Sequence, residues 1–232
     1  LGRDIDGKLL FFSKENFSNG CIVTVDVTYP SAPMYLLYQP VLLRGMIEPI
    51  MEYASSPRWK FPFAPHDMGQ YPLANGQVYG GGERTEEDQM PVEECGNMLV
   101  LAAAYELFSK DATLNKKYAL LLDKWADYLV ANGLKPENQL CTDDFAGHMA
   151  NNANLAAKAI VGLGAWAKVR AATDPAKAKA YRAMAEAMAK EWVVLAGGKP
   201  PFRLGYDQEG SWSQKYNLVW DKVLGLKLFP KE

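Results

Sequence analysis

Three stretches of the 232-residue chain concentrate side chains able to do acid–base or recognition chemistry. The first holds His66, Asp67, Gln70, Tyr71 and Asn75 between Ala64 and Gln77, and is followed by Pro91-Val92-Glu93-Glu94-Cys95-Gly96-Asn97. The second runs from Cys141 through Asp143 and Asp144 to His148, with Asn151, Asn152 and Asn154 just beyond. The third runs from Gly205 to Trp212 and carries Asp207 and Glu209. Each sets carboxylates beside amides and rings. That mixture suits a small polar molecule, with carboxylates for proton transfer, amides for orientation and rings for stacking.

Glu93 and Glu94 fall in the first turn of an expected helix, where carboxylates also complement the helix dipole. Glu94, Met98 and Leu101 share one face at i, i+4 and i+7, so Glu94 points inward at a helix mouth, and it is the preferred catalytic carboxyl. Glu93 shares a face with Asn97. Asp143 and Asp144 either cap the next helix or form a pair with separated pKa values. Asp144 and His148, at i, i+4, could share a cation. His66 reads more readily as a satisfied loop histidine, Asp207 and Glu209 as turn decoration, and Glu83–Asp88 as a solvated loop.

Several chemistries lack support. There is no G-x-x-x-x-G-K-[ST], G-x-S-x-G, S-x-x-K or H-E-x-x-H. Two histidines are too few for a histidine-built zinc site unless cysteines or carboxylates contribute. No cofactor and no metal are therefore expected. Cys21, Cys95 and Cys141 form no C-x-x-C and read as small buried hydrophobes. As nucleophiles, Cys95 and Cys141 lack a base nearby in sequence.

These residues must be held by helices. Residues 1–30 read as a short β-rich lead-in, with alternation over 22–28, a partner at Leu9–Phe12 and Asn19-Gly20 between them. Residues 31–232 read as a helical-hairpin domain, with helices near 32–54, 91–110, 114–131, 151–172, 175–195 and 211–225. Pro30 and Pro33 are expected to open the first, and a Ser211/Gln214 capping box the last. Junctions at 110–114 and 172–175 are short and make hairpins; the long loops at 55–90, 132–150 and 197–211 then gather at one end. With 25 basic and 27 acidic residues and 49% hydrophobic content, the chain is neither disordered nor a nucleic-acid or membrane-surface binder. No apolar run reaches the roughly 18 residues that span a bilayer. Leu1 in first position suggests a processed chain or a piece of a longer one.

Four motifs carry a resemblance: His66-Asp67-Met68-Gly69-Gln70-Tyr71-Pro72-Leu73-Ala74-Asn75-Gly76-Gln77, Pro91-Val92-Glu93-Glu94, Thr142-Asp143-Asp144-Phe145-Ala146-Gly147-His148, and Gly210–Lys222 with its Ser-Trp-Ser-Gln-Lys-Tyr-Asn-Leu-Val-Trp-Asp core. Through nearly the whole chain the sequence resembles the glutaminase A family, with 82–89 as an insertion. The resemblance implies a mainly α fold, part of a glycosidase-like (α/α)6 six-hairpin toroid with a short β-hairpin near the N-terminus. It also implies a secreted, periplasmic or cell-envelope location and hydrolysis of L-glutamine.

Taken with the residues, the expected catalytic set is Glu94 and Asp144, with Asp143 and Glu93 beside them, working by carboxylate-activated water. The expected substrate-binding set is Asp67, Gln70, Tyr71, Asn75, Asn97, His148 and Trp212. A glycoside hydrolase would use the same carboxylates, with Trp212 or Tyr71 stacked on a sugar. The third alternative is a non-catalytic fragment: six helices are half of what six hairpins need. Its exposed apolar face would then be covered by the rest of the parent chain or by a second copy.

Overall fold

The computed structural model describes residues 1–15, 18–141 and 143–230, with only the backbone of Asp144. A two-stranded antiparallel hairpin pairs β1 (Gly2–Arg3) with β2 (Leu9–Leu10). Eight α-helices follow among the described residues: α1 (Val25–Tyr38), α2 (Pro40–Ala54), α3 (Pro91–Ser109), α4 (Thr113–Lys117), α5 (Ala119–Asn132), α6 (Ala153–Arg170), α7 (Pro175–Leu195) and α8 (Val219–Val223). Single 3-10 turns form at Asp144–Ala146 and Tyr216–Leu218.

The helix starts have local causes. Pro91 and Pro175 sit in first turns, where a missing N–H costs nothing. Asp174 caps α7 by accepting from the Lys177 amide at 3.1 Å, and Asn152 caps α6 by accepting from Leu155 at 2.9 Å. The mouth of α3 is capped from another loop: Gln139 Oε1 accepts from the amides of Val92 and Glu93 at 3.1 and 3.3 Å.

Several expected elements are corrected. The segment 25–28 is helix, not strand, because Val25, Thr28, Tyr29, Ala32 and Leu36 all bury at helical spacing. Pro30 and Pro33 lie inside α1 instead of opening it. The expected 32–54 helix breaks at Gln39, which Pro40 forces out of helical geometry (φ −158°, ψ 79°). Pairing across Asn19-Gly20 involves Lys14 with Ile22, not Leu9–Phe12. The 114–131 helix breaks at Tyr118. Ser211 opens no helix: its hydroxyl donates to Gln208 O at 2.6 Å, and the chain stays irregular to Tyr216. Phe108 and Met184, which continue the apolar spacing of α3 and α7, are exposed.

Short links join α1 to α2, α3 to α4–α5, and α6 to α7, making three hairpins. α3 packs between α1 and α6, and α6 also meets the Tyr216–Leu218 turn, while α2, α5 and α7 lie behind. The burial pattern agrees: α3 and α6 are apolar and buried almost all round, whereas α5 and α7 bury one face. The α3–α6 approach depends on Gly96 and Gly162. A Cβ at Gly162 would meet the Gly96 Cα and O at 3.2 Å, and one at Gly96 would meet Lys158 Cγ at 2.8 Å. Gly96→Ala is therefore expected to destabilise the domain by about 1–3 kcal/mol through overpacking. A thermal melt measures it; an unshifted midpoint would mean the helices part freely.

Candidate functional site

The long connections 55–90, 133–152 and 196–215 each lead into the N-terminal end of a central element: α3, α6 and the Tyr216 turn. Residues 11–24 do the same for α1. Four chain entries thus meet at one end, and each delivers a polar side chain in or near its first turn. α1 brings Asp26 and Tyr29; α3 brings Glu93, Glu94 and Asn97; α6 brings Asn154 and Lys158; the last turn brings Tyr216 and Asn217.

Lys158 is wholly buried and forms an ion pair with Glu93, also wholly buried. Its ammonium lies 4.2 Å from the centre of the Tyr29 ring. Asn97 Nδ2 donates to both glutamates, to Glu94 Oε2 at 3.0 Å and Glu93 Oε1 at 3.3 Å. Tyr29 OH donates to Asn217 Oδ1 at 2.9 Å, and Asn217 Nδ2 donates to Asn154 O at 2.9 Å. Asp143 forms a neighbouring node, accepting from Asn152, Asn154 and Tyr216 at 3.1–3.3 Å.

His66 and Asp67 arrive on the 55–90 connection, which is strapped to the start of α1. His66 O accepts from Val25 N at 2.9 Å, and Ile22 and Met68–Gly69 exchange backbone hydrogen bonds. Asp67 accepts from the backbone amides of Gly69, Val78 and Tyr79 at 2.7–3.2 Å and from His66 Nδ1 at 3.0 Å. The Tyr79 ring stacks on the imidazole at 4.1 Å. The other imidazole nitrogen, Nε2, faces Asp26 Oδ1 at 3.6 Å. Ligand atoms of Asp26, His66 and Glu94 all lie within 4.8 Å of one another.

Electrostatics follow from this crowding. Burial, then repulsion from Asp26 and Glu93, pushes the Glu94 carboxyl well above the usual range. Burial raises Asp26 to about 6 despite the attraction of His66. Burial works against protonation of His66, but its hydrogen bond to Asp67 and the charge of Asp26 carry its pKa upward overall. Lys215 falls to about 8 through burial, partly offset by Asp143. The Cys141 thiol is pushed up to about 12 by burial and Glu93, and burial also raises Cys21 and Cys95. All three thiols are therefore protonated and unreactive near neutral pH.

Buried oxygens without a hydrogen-bond partner include Asp26 Oδ1, Glu93 Oε2 and Glu94 Oε1. Such groups are rare in folded proteins, and here these three and Asn97 Oδ1 occur at the convergence of the helix mouths. Asp26 keeps 22% of its side chain exposed, so the cluster touches solvent on that side.

The structure brings together Glu93, Glu94 and Asn97, sets Asp67 behind His66, and places Asp143 at the adjoining node. Gln70, Tyr71, Asn75, His148 and Trp212 lie exposed on the surrounding loops. His148 Nε2 is 3.8 Å from Asp88 Oδ1, and Gln70 Nε2 donates to Asn19 O. The Asp144 side chain, expected to be catalytic, lies outside what is described. Sequence reasoning missed Asp26, Tyr29 and Lys158. Lys158 left a signal: a single lysine in an otherwise apolar stretch, four residues after Asn154.

Residues 1–232 match the family model described as the glutaminase A six helical-hairpin domain. The chain is 37% identical over 226 residues to Glutaminase A of Aspergillus oryzae, which covers 95% of this chain and 32% of that protein. It is 29% identical over 276 residues to a protein of Arthroderma benhamiae named Probable glutaminase, covering 93% of this chain and 31% of that protein. The chain spans about a third of the length of these curated relatives.

Proposed function

The chain belongs to the glutaminase A six helical-hairpin family, whose hairpins fit an α/α toroid, and from that premise we propose that its parent protein hydrolyses the side-chain amide of L-glutamine. The observation that carries the chemistry is the facing pair Asp26 and Glu94, each with a buried oxygen that has no hydrogen-bond partner. A water between them gives a proton to the pair as its oxygen attacks the amide carbon. The pair returns a proton to the nitrogen as the C–N bond breaks, leaving glutamate and ammonia. Asn97 fixes the Glu94 carboxyl, and the Lys158–Glu93 pair sets the local charge.

Glutamine turnover by the full-length protein tests this reading against its Asp26→Asn variant. Turnover is expected to fall roughly 10²–10⁴-fold, the usual worth of a proton-transfer group. Undiminished turnover in the variant would remove Asp26 from the chemistry. A glycoside hydrolase is the second reading. It is favoured by the short Asp26–Glu94 spacing, within 4.8 Å, which is close to the ~5 Å of retaining glycosidases. Release of aryl alcohols from a glycoside panel, with glutamine untouched, would establish it instead.

A further inference from the structure

We propose that Asp26, His66 and Glu94 form a binding site for one divalent transition-metal ion of the Zn2+ type. With the ion in place, Asp26 and Glu94 would be its ligands, and the ion would take over from the bare carboxylate pair the activation of water that the hydrolase reading assigns to them. The grounds for the site are geometric.

The first is the facing of His66. Asp67 already accepts three backbone N–H bonds, so it acts as acceptor toward Nδ1, and Nδ1 carries the hydrogen. In the neutral ring, the Nε2 lone pair then points at Asp26 Oδ1, 3.6 Å away and without a hydrogen-bond partner. A positive centre between them is either an imidazolium proton or a bound cation. At 3.6 Å the gap is too long for a hydrogen bond. It is close to the ~3.4 Å that separates two ligand atoms each about 2.1 Å from a tetrahedral zinc.

Glu94 is the second ground. It is wholly buried, its Oε1 lacks a partner, and it lies within 4.8 Å of the other two ligand atoms. Small side-chain rotations complete three protein ligands and leave a fourth position for water.

The outer shell is already built. An imidazole held from behind by a carboxylate, which backbone amides hold in turn, is the usual support of a metal-bound histidine. Stacking on Tyr79 fixes the ring plane. Among the described residues, Asp26, Asp67, Glu93 and Glu94 crowd together around Lys158 and His66, with Glu15 close enough to add to the field. Cys21, His66 and Asp67 also converge, but the Asp67 oxygens there are already engaged. One imidazole with carboxylates suits zinc or manganese better than calcium.

The test is titration calorimetry on chelator-stripped full-length protein with ZnCl2 and, separately, MnCl2, without substrate. One ion per chain is expected to bind. His66→Asn and Asp26→Asn should each weaken binding more than 100-fold, and Asp67→Asn, which touches no ion, 10–100-fold. Circular dichroism confirms that the variants fold. If His66→Asn does not fold, loss of the Co2+ d–d spectrum in Asp26→Asn decides. No stoichiometric binding by the native protein, or equal binding by folded ligand variants, overturns the site. Binding retained with no glutamine turnover would overturn the amide reading alone.

Discussion

Lys158→Met is expected to destabilise the domain by about 3–5 kcal/mol, roughly a 6–20 °C drop in melting temperature for a chain of this size. Methionine matches the length and volume of the lysine, so packing against Gly96 and Tyr29 is kept and the loss isolates the charge. Among the described residues, what remains is Glu93, wholly buried, with Asn97 as its remaining side-chain donor and Oε2 bare. A buried carboxylate stripped of its counter-ion carries the full desolvation cost. The double variant Lys158→Met/Glu93→Gln should recover most of the loss, because removing both charges of a buried pair is often close to neutral. Differential scanning calorimetry on the four proteins of the cycle measures the coupling. A single variant as stable as the parent would mean that Glu93 finds another cation.

If the full-length protein hydrolyses glutamine as proposed, its Glu94→Gln variant is expected to lower kcat by roughly 10²–10⁴-fold while KM changes little. The amide is isosteric and can keep the contact that Asn97 makes with Oε2, so the fold should persist. It cannot carry or return a proton at Oε1. A fall in kcat with KM fixed marks a group that acts in the transition state. A rise in KM with kcat fixed would make Glu94 a binding residue instead, and activity equal to the parent would remove it from the site.

Much of the scaffold is legible in the sequence where one residue type dictates one geometry. Pro91 and Asp174-Pro175 announce helix starts because a first-turn proline and an acidic cap have few other uses. The inward face of Glu94 follows from its spacing to Met98 and Leu101, and both glutamates bury. The misses have equally local causes. Val-Asp-Val-Thr alternates as a strand does, yet 25, 28, 29 and 32 also satisfy a helical period; a short apolar run fits both, and tertiary burial chose the helix. With that choice Asp26 moved from a strand face to a helix mouth, which no reading of 22–28 alone could reveal. Lys158 lies 65 residues from its partner Glu93. Only the α3–α6 contact makes it a counter-ion.

The hairpin links at 110–112 and 171–174 lie at the end of the helices opposite the polar cluster. This separation divides the molecule into a conservative end and a permissive one. Foreign sequence spliced into either short link would lengthen a turn far from Glu94 and His66, and should leave the chemistry untouched. A change of equal size in 64–79 would shift the strap that sets His66 against Asp26. For reporters, affinity handles or fluorescent partners, the turn after α6 is the natural door.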